Sequence, residues 1–129
     1  MKYLTAEDIL VLHALIVDEV GGSHGVRDID LLASLVERPK SKFGGQEQYK
    51  GISNKAAVYL DSLARYHVFV DGNKRAAIVA SARFLFLNGR ELTATNKDAE
   101  EFVLRVVLEK PEIEDIAKWL KTHSRKIKK

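Results

Sequence analysis

The sequence predicts an all-α protein, a single-domain bundle of about six helices with room for one small flap hairpin. Three observations carry this. The 129 residues, 46% of them hydrophobic, can supply one core. Apolar residues recur at three- and four-residue spacing in successive segments, and capping residues open those segments while Gly or Pro closes them. No internal repeat or linker between two cores interrupts the pattern, so residues 1–120 read as one domain and 121–129 as a basic C-terminal tail.

The first helix is predicted from about Ala6 to Val20. Thr5 is its N-cap, Glu7 and Asp8 favour its first turn, and Leu4 with Ile9 is spaced as a hydrophobic staple. Ile9, Leu12, Ile16 and Val20 form its inner face, and Gly21-Gly22 stops it. Asp28 or Asp30 can cap a short second helix carrying Leu31, Leu32, Leu35 and Val36, ended by Pro39. Residues 40–52 hold three glycines and no helical period, and read as an irregular loop or small hairpin that can serve as a flap.

Ser53 can cap the third helix, predicted through about Tyr66, with Ala56, Ala57, Leu60, Leu63 and Ala64 facing inward. The fourth should run from near Asn73 through Ala76, Ala77, Ala80, Phe84 and Leu87 to Asn88-Gly89, its small residues allowing close packing at the centre. Thr95 with Asp98 repeats the capping pattern for a fifth helix burying Phe102, Val103, Val106 and Val107. Pro111 then sits near the start of a sixth helix with Ile113, Ile116, Trp119 and Leu120 inside.

Composition narrows the function classes. With no cysteine there is no disulfide framework, thiolate metal site or cysteine nucleophile. No run reaches the roughly 18 to 20 apolar residues of a membrane span and the N-terminus lacks signal-peptide order, so a cytoplasmic protein without membrane contact is expected. Lys121, Arg125, Lys126, Lys128 and Lys129 are five of the 21 cations, leaving 16 against 18 acidic residues. The high pI therefore belongs to the tail, expected to be a solvated, frayed end; nucleic-acid binding is not expected except through it.

The chemistry concentrates in His67-Val68-Phe69-Val70-Asp71-Gly72-Asn73-Lys74-Arg75, between the third and fourth helices. Backbone amides of Gly72, Asn73 and Lys74 at a helix N-terminus form an anion site strengthened by the helix dipole. Gly72 admits close approach of a ligand, Lys74 and Arg75 can neutralise phosphate, and Asp71 is a hard oxygen ligand that Mg2+ accepts beside nucleotide phosphates. His67 suits a general base near neutral pH. These are the parts of a phosphoryl or nucleotidyl transferase. A plainer reading stays open: His67 capping a helix, Asp71-Gly72 an ordinary turn, Lys74 and Arg75 a solvated first turn, and Phe69 a core anchor. An EF-hand is excluded, because His67 and Phe69 would occupy calcium-ligand positions and Ile78 the place of the bidentate Glu.

The nine residues match every fixed position of the Fic/Doc superfamily motif, His-x-Phe-x-Asp/Glu-Gly-Asn-Gly/Lys-Arg, and the surroundings resemble its Doc (death-on-curing) branch. The likeness covers about residues 3–120 and includes Val26-Arg27-Asp28, Leu31-Leu32, Glu37-Arg38-Pro39, the alanine-rich helix before the motif and Phe84-Leu85 with Asn88-Gly89 after it. The resemblance implies the Fic/Doc fold, with His67 as general base, Asp71 as Mg2+ ligand, Gly72 and Asn73 as the anion-binding turn, and Arg75 on nucleotide phosphates. Lys74 is the discriminating position. Typical Fic AMP-transferases carry glycine there and use the room to place the alpha-phosphate, whereas in Doc-like members lysine goes with a reversed nucleotide and gamma-phosphate transfer.

The resemblance thus implies ATP and Mg2+ as cofactors and a protein Ser/Thr kinase acting on elongation factor Tu or its counterpart. Such a protein is the toxin of a toxin-antitoxin system that inhibits translation. Two positions depart: Gly72 stands where some Doc proteins carry alanine, and Val79 supplies no polar group where some relatives have one. No Ser or Thr has Glu four residues on, as the Fic inhibitory helix requires, so restraint in trans by a Phd-like antitoxin is implied. A target segment could pair by backbone with residues 40–52. The competing readings are a Fic-like AMP-transferase modifying a protein hydroxyl and a non-catalytic binding or regulatory module.

Overall fold

The computed structural model describes residues 1–128. It is mostly helical: α1 (Ala6–Val20), α2 (Ile29–Leu35), α3 (Ile52–Arg65), α4 (Asn73–Leu87), α5 (Asn96–Glu109) and α6 (Ile113–Thr122). Two small antiparallel strand pairs complete it, the hairpin of β1 (Lys42–Phe43) with β2 (Gln46–Glu47), and β3 (Arg90–Leu92) with β4 (Ser124–Lys126) across α5 and α6. No described helix is long and apolar enough to cross a membrane.

The caps act as their chemistry requires. Thr5 Oγ1 accepts from the Asp8 N–H at 3.1 Å while Asp8 Oδ2 accepts from the Thr5 N–H at 2.8 Å, closing a capping box on α1. Asp28 and Thr95 cap α2 and α5 through the amides of Leu31 and Asp98. Ser53 does not cap α3. It lies inside the first turn, and Gly51, at φ 85°, makes the entry in a backbone region that side chains disfavour.

α3 is the central element, buried on all sides from Lys55 to Ala64 and packed on α2, α4, α5 and α6. Ala56, Ala57 and Ala64 on α3 and Ala76, Ala77 and Ala80 on α4 let the two helices approach closely. Two buried charges on α3 are fully engaged. Lys55 Nζ donates to the Pro39 carbonyl at 2.9 Å and pairs with Glu47 of β2 at 3.2 Å, fastening the predicted hairpin to the core. Asp61 receives Arg38 on one oxygen and Arg65 on the other, at 2.8 and 3.0 Å.

The tail differs from expectation. Lys121 and Thr122 complete α6, residues 124–126 pair with β3, and the Ile127 N–H donates to the Gly89 carbonyl at 2.9 Å, so the stretch through Ile127 is ordered rather than frayed. Its strand shows no apolar alternation, being Ser-Arg-Lys. Arg90 holds it by donating to Ser124 Oγ and carbonyl oxygen.

Tyr59, fully buried in α3, accepts from the Leu4 N–H at 3.0 Å. Burial pushes its phenol up to about 12, above the usual value near 10. The unfolded chain ionises this group first as pH rises, so its contribution is intact below pH ~10 and is lost between pH ~10 and ~12, about 2 to 3 kcal/mol in all. Tyr59→Phe should be less stable at pH 8 by about 1 to 3 kcal/mol, since it orphans the Leu4 amide. Its difference from the parent protein should shrink toward pH 12 in urea unfolding.

Candidate active site

The motif forms the connection between α3 and α4 and is held from three sides. Leaving α3, the chain turns at His67, whose φ of 51° is left-handed and costly for a residue with a side chain. Arg27 Nη1 donates to the His67 carbonyl at 3.1 Å. Residues 68–70 then run alongside 25–28: the Arg27 and Asp28 amides donate to the Val68 carbonyl, Val26 bridges Phe69, and the Val70 N–H donates to the Gly25 carbonyl at 3.0 Å. Val68 and Phe69 are buried, leaving His67, Val70 and Asp71 exposed.

Asn73 closes the turn. Its carboxamide accepts from the Phe69 N–H at 2.9 Å and donates to the Phe69 carbonyl at 2.8 Å, so both main-chain groups of one residue are satisfied by one side chain. Gly72, at φ 79°, takes the left-handed step that starts α4. The amides of Gly72, Asn73, Lys74 and Arg75 have no hydrogen-bond partner among the described residues, as expected where an anion would sit.

The six predicted residues, His67, Asp71, Gly72, Asn73, Lys74 and Arg75, all line one open cavity of about 570 Å³. Its far wall is apolar, with Ala64, Ile78, Leu104 and Val107. The His67 ring and the Lys74 ammonium make no hydrogen bond or ion pair among the described residues. Asp71 Oδ2 accepts from the Ser23 N–H at 3.0 Å, which aims the carboxylate and leaves its other oxygen free. No cluster of three acidic, His or Cys ligands exists among the described residues, so a cation at Asp71 would need oxygens from a bound ligand and water.

Three further residues enter the site. Glu100 of α5 pairs with Arg75 at 3.1 Å across the cavity, both about half exposed. Arg27, seen in the sequence only as part of a family pattern, touches the His67 main chain. His13 of α1 is buried at 2% exposure, its Nε2 2.8 Å from the Asp71 carbonyl. One signal for His13 was present, an imidazole interrupting the inward positions Ile9 and Ile16 of α1; Glu100 gave none.

A family model described as Fic/DOC family matches residues 3–85, almost two thirds of the chain, with the cavity loop inside the match. The chain belongs to the Fic/DOC family. It is 43% identical over 93 residues to a protein named Toxin Doc from Mycolicibacterium smegmatis, covering 72% of this chain and 69% of that one. It is 29% identical over 89 residues to Protein kinase doc of Escherichia phage P1, covering 69% and 70% respectively. The mostly helical architecture agrees with the Fic/DOC fold.

The carboxamide clasp of this Fic/DOC loop gives a direct test. Asn73→Ala should lower stability by about 2 to 4 kcal/mol, because the buried Phe69 amide and carbonyl both lose their partner. Asn73→Asp keeps the acceptor but not the donor and should fall between the two in urea unfolding.

Proposed function

We propose that this chain is the toxin of a toxin-antitoxin pair and a protein Ser/Thr kinase that transfers the gamma-phosphate of ATP to a translation factor such as elongation factor Tu, arresting translation. The carrying observation is the single cavity where an unencumbered imidazole, an exposed carboxylate, four free helix-terminal amides and two cations meet. The relatives support the toxin and kinase parts of the reading through their names. The AMP-transferase alternative is disfavoured by Lys74, which lines the cavity at the position where typical Fic AMP-transferases carry glycine.

Phosphate oxygens of the nucleotide are received by the amides of Gly72, Asn73 and Lys74 and by the side chains of Lys74 and Arg75, helped by the α4 dipole. Asp71, with one oxygen free, suits Mg2+, which when bound would neutralise phosphate charge. His67 takes the proton of the target Ser or Thr hydroxyl. That oxygen bonds to the gamma-phosphorus as the bond to the bridging oxygen breaks, and ADP departs with the electron pair. The apolar wall of Ile78, Leu104 and Val107 offers a surface for the rest of the nucleotide. A Phd-like antitoxin would restrain the site from the shallow groove between α1 and α5, where Ile16, Val20 and Ala99 lie beside Arg75 and Glu100.

Elongation factor Tu incubated with the protein, Mg2+ and ATP should gain about 80 Da, the mass of one phosphate, and should not do so with His67→Ala. A gain of about 329 Da would replace the kinase with an AMP-transferase, and an unmodified factor would remove it as the target. Glu100 competes with phosphate for Arg75. Glu100→Gln should therefore lower the KM for ATP by about two- to five-fold, the scale of an exposed ion pair, with kcat little changed.

A further inference from the structure

His13 occupies a core position that an apolar residue would fill more cheaply, since a buried imidazole costs free energy unless it is hydrogen-bonded. Its one hydrogen-bond partner among the described residues is the Asp71 carbonyl, 2.8 Å from Nε2. A carbonyl only accepts, so Nε2 carries the proton. The ring lies parallel to Phe69, centroids 3.7 Å apart and planes 4° apart, which fixes the plane in which Nε2 lies. A Cβ added at Gly72 would stand 3.5 Å from the same nitrogen, so the turn rests directly on this ring.

Two consequences follow from peptide geometry. In a trans peptide the C=O and the next N–H point in opposite directions, so pinning the Asp71 oxygen toward the core turns the Gly72 N–H outward. The Asp71 oxygen is also the i−4 acceptor that the Arg75 N–H would use if α4 extended backward; it is turned toward His13 instead, and the Arg75 N–H has no partner among the described residues. We propose that His13 is a positioning residue of the active site, a donor on α1 that holds the Asp71 peptide inward and so presents the Asp71 carboxylate and the α4 amides to the phosphate of a bound nucleotide. Its link to turnover rests on the kinase reading above; its effect on the turn does not.

Two substitutions separate positioning from packing. His13→Phe keeps the ring stack and removes the donor, whereas His13→Gln keeps a donor and removes the stack. The readouts are amide exchange at Ser23 and Val70, whose protons bond Asp71 Oδ2 and Gly25, and the affinity for Mg2+·ADP by calorimetry. Positioning predicts that His13→Phe exchanges these amides and binds Mg2+·ADP at least about tenfold worse than His13→Gln, while core amides of α3 stay protected in both. The reverse order, with Phe near the parent protein, overturns the proposal. In the unsubstituted protein the imidazole 15N shifts should report the Nε2–H tautomer; an Nδ1–H tautomer overturns it even if neither variant folds. Where phosphate transfer is measurable, His13→Phe should lower kcat with little change in KM for the target. If the parent protein transfers nothing yet the exchange and affinity order holds, the kinase reading fails and the positioning role stands.

Discussion

Two hydrogen bonds from the Asn73 carboxamide to the Phe69 main chain hold the site together. They close residues 69–73 into a turn narrow enough for α4 to begin at Asn73, and the α4 amides are available only because it begins there. An asparagine is needed because the clasp requires a donor and an acceptor on one planar group, with reach short enough to serve a residue four positions back. With the clasp fixed, Val68 and Phe69 are held in the core while Val70 and Asp71 stay exposed. Burial and chemistry in this loop are consequences of one geometry.

Polar chemistry is distributed through the interior on the same plan. Lys55, Asp61 and His13 are each buried and each engaged with a segment outside its own helix: the flap hairpin and Pro39, the Arg38 turn, and the Asp71 turn. Isolated, the charges of Lys55 and Asp61 would each cost several kcal/mol; paired, they add little net stability, and all three contacts fix where an otherwise irregular segment lies. Family membership accounts for the motif, while these interior contacts describe how this chain supports it.

Local chemistry was legible in the sequence and distant pairing was not. Thr5, Asp28 and Thr95 announce helix starts because a cap acts over three residues. Ser53 misled because a glycine two residues earlier can turn the chain without a side chain. β3 and β4 escaped because three-residue strands 34 positions apart in sequence carry no period long enough to recognise. The six motif residues lining the cavity could be named because they fall within nine consecutive positions, whereas His13 and Glu100 reach them from other helices. No pattern of spacing within one segment reports a contact between two.

The fastenings of the loop have a temporal meaning. His13 to Asp71, Ser23 to Asp71 and Arg27 to His67 join residues separated by 58, 48 and 40 positions. Contacts of such span require large loops to close and form after local helices do. During synthesis the ribosome would therefore carry a chain with its first helices already wound but the turn of the candidate site unbuilt. The turn is complete only once α4 has emerged and docked, so a truncated or stalled product ending before Asn73 contains six of the nine motif residues without the Asn73 clasp or the α4 amides.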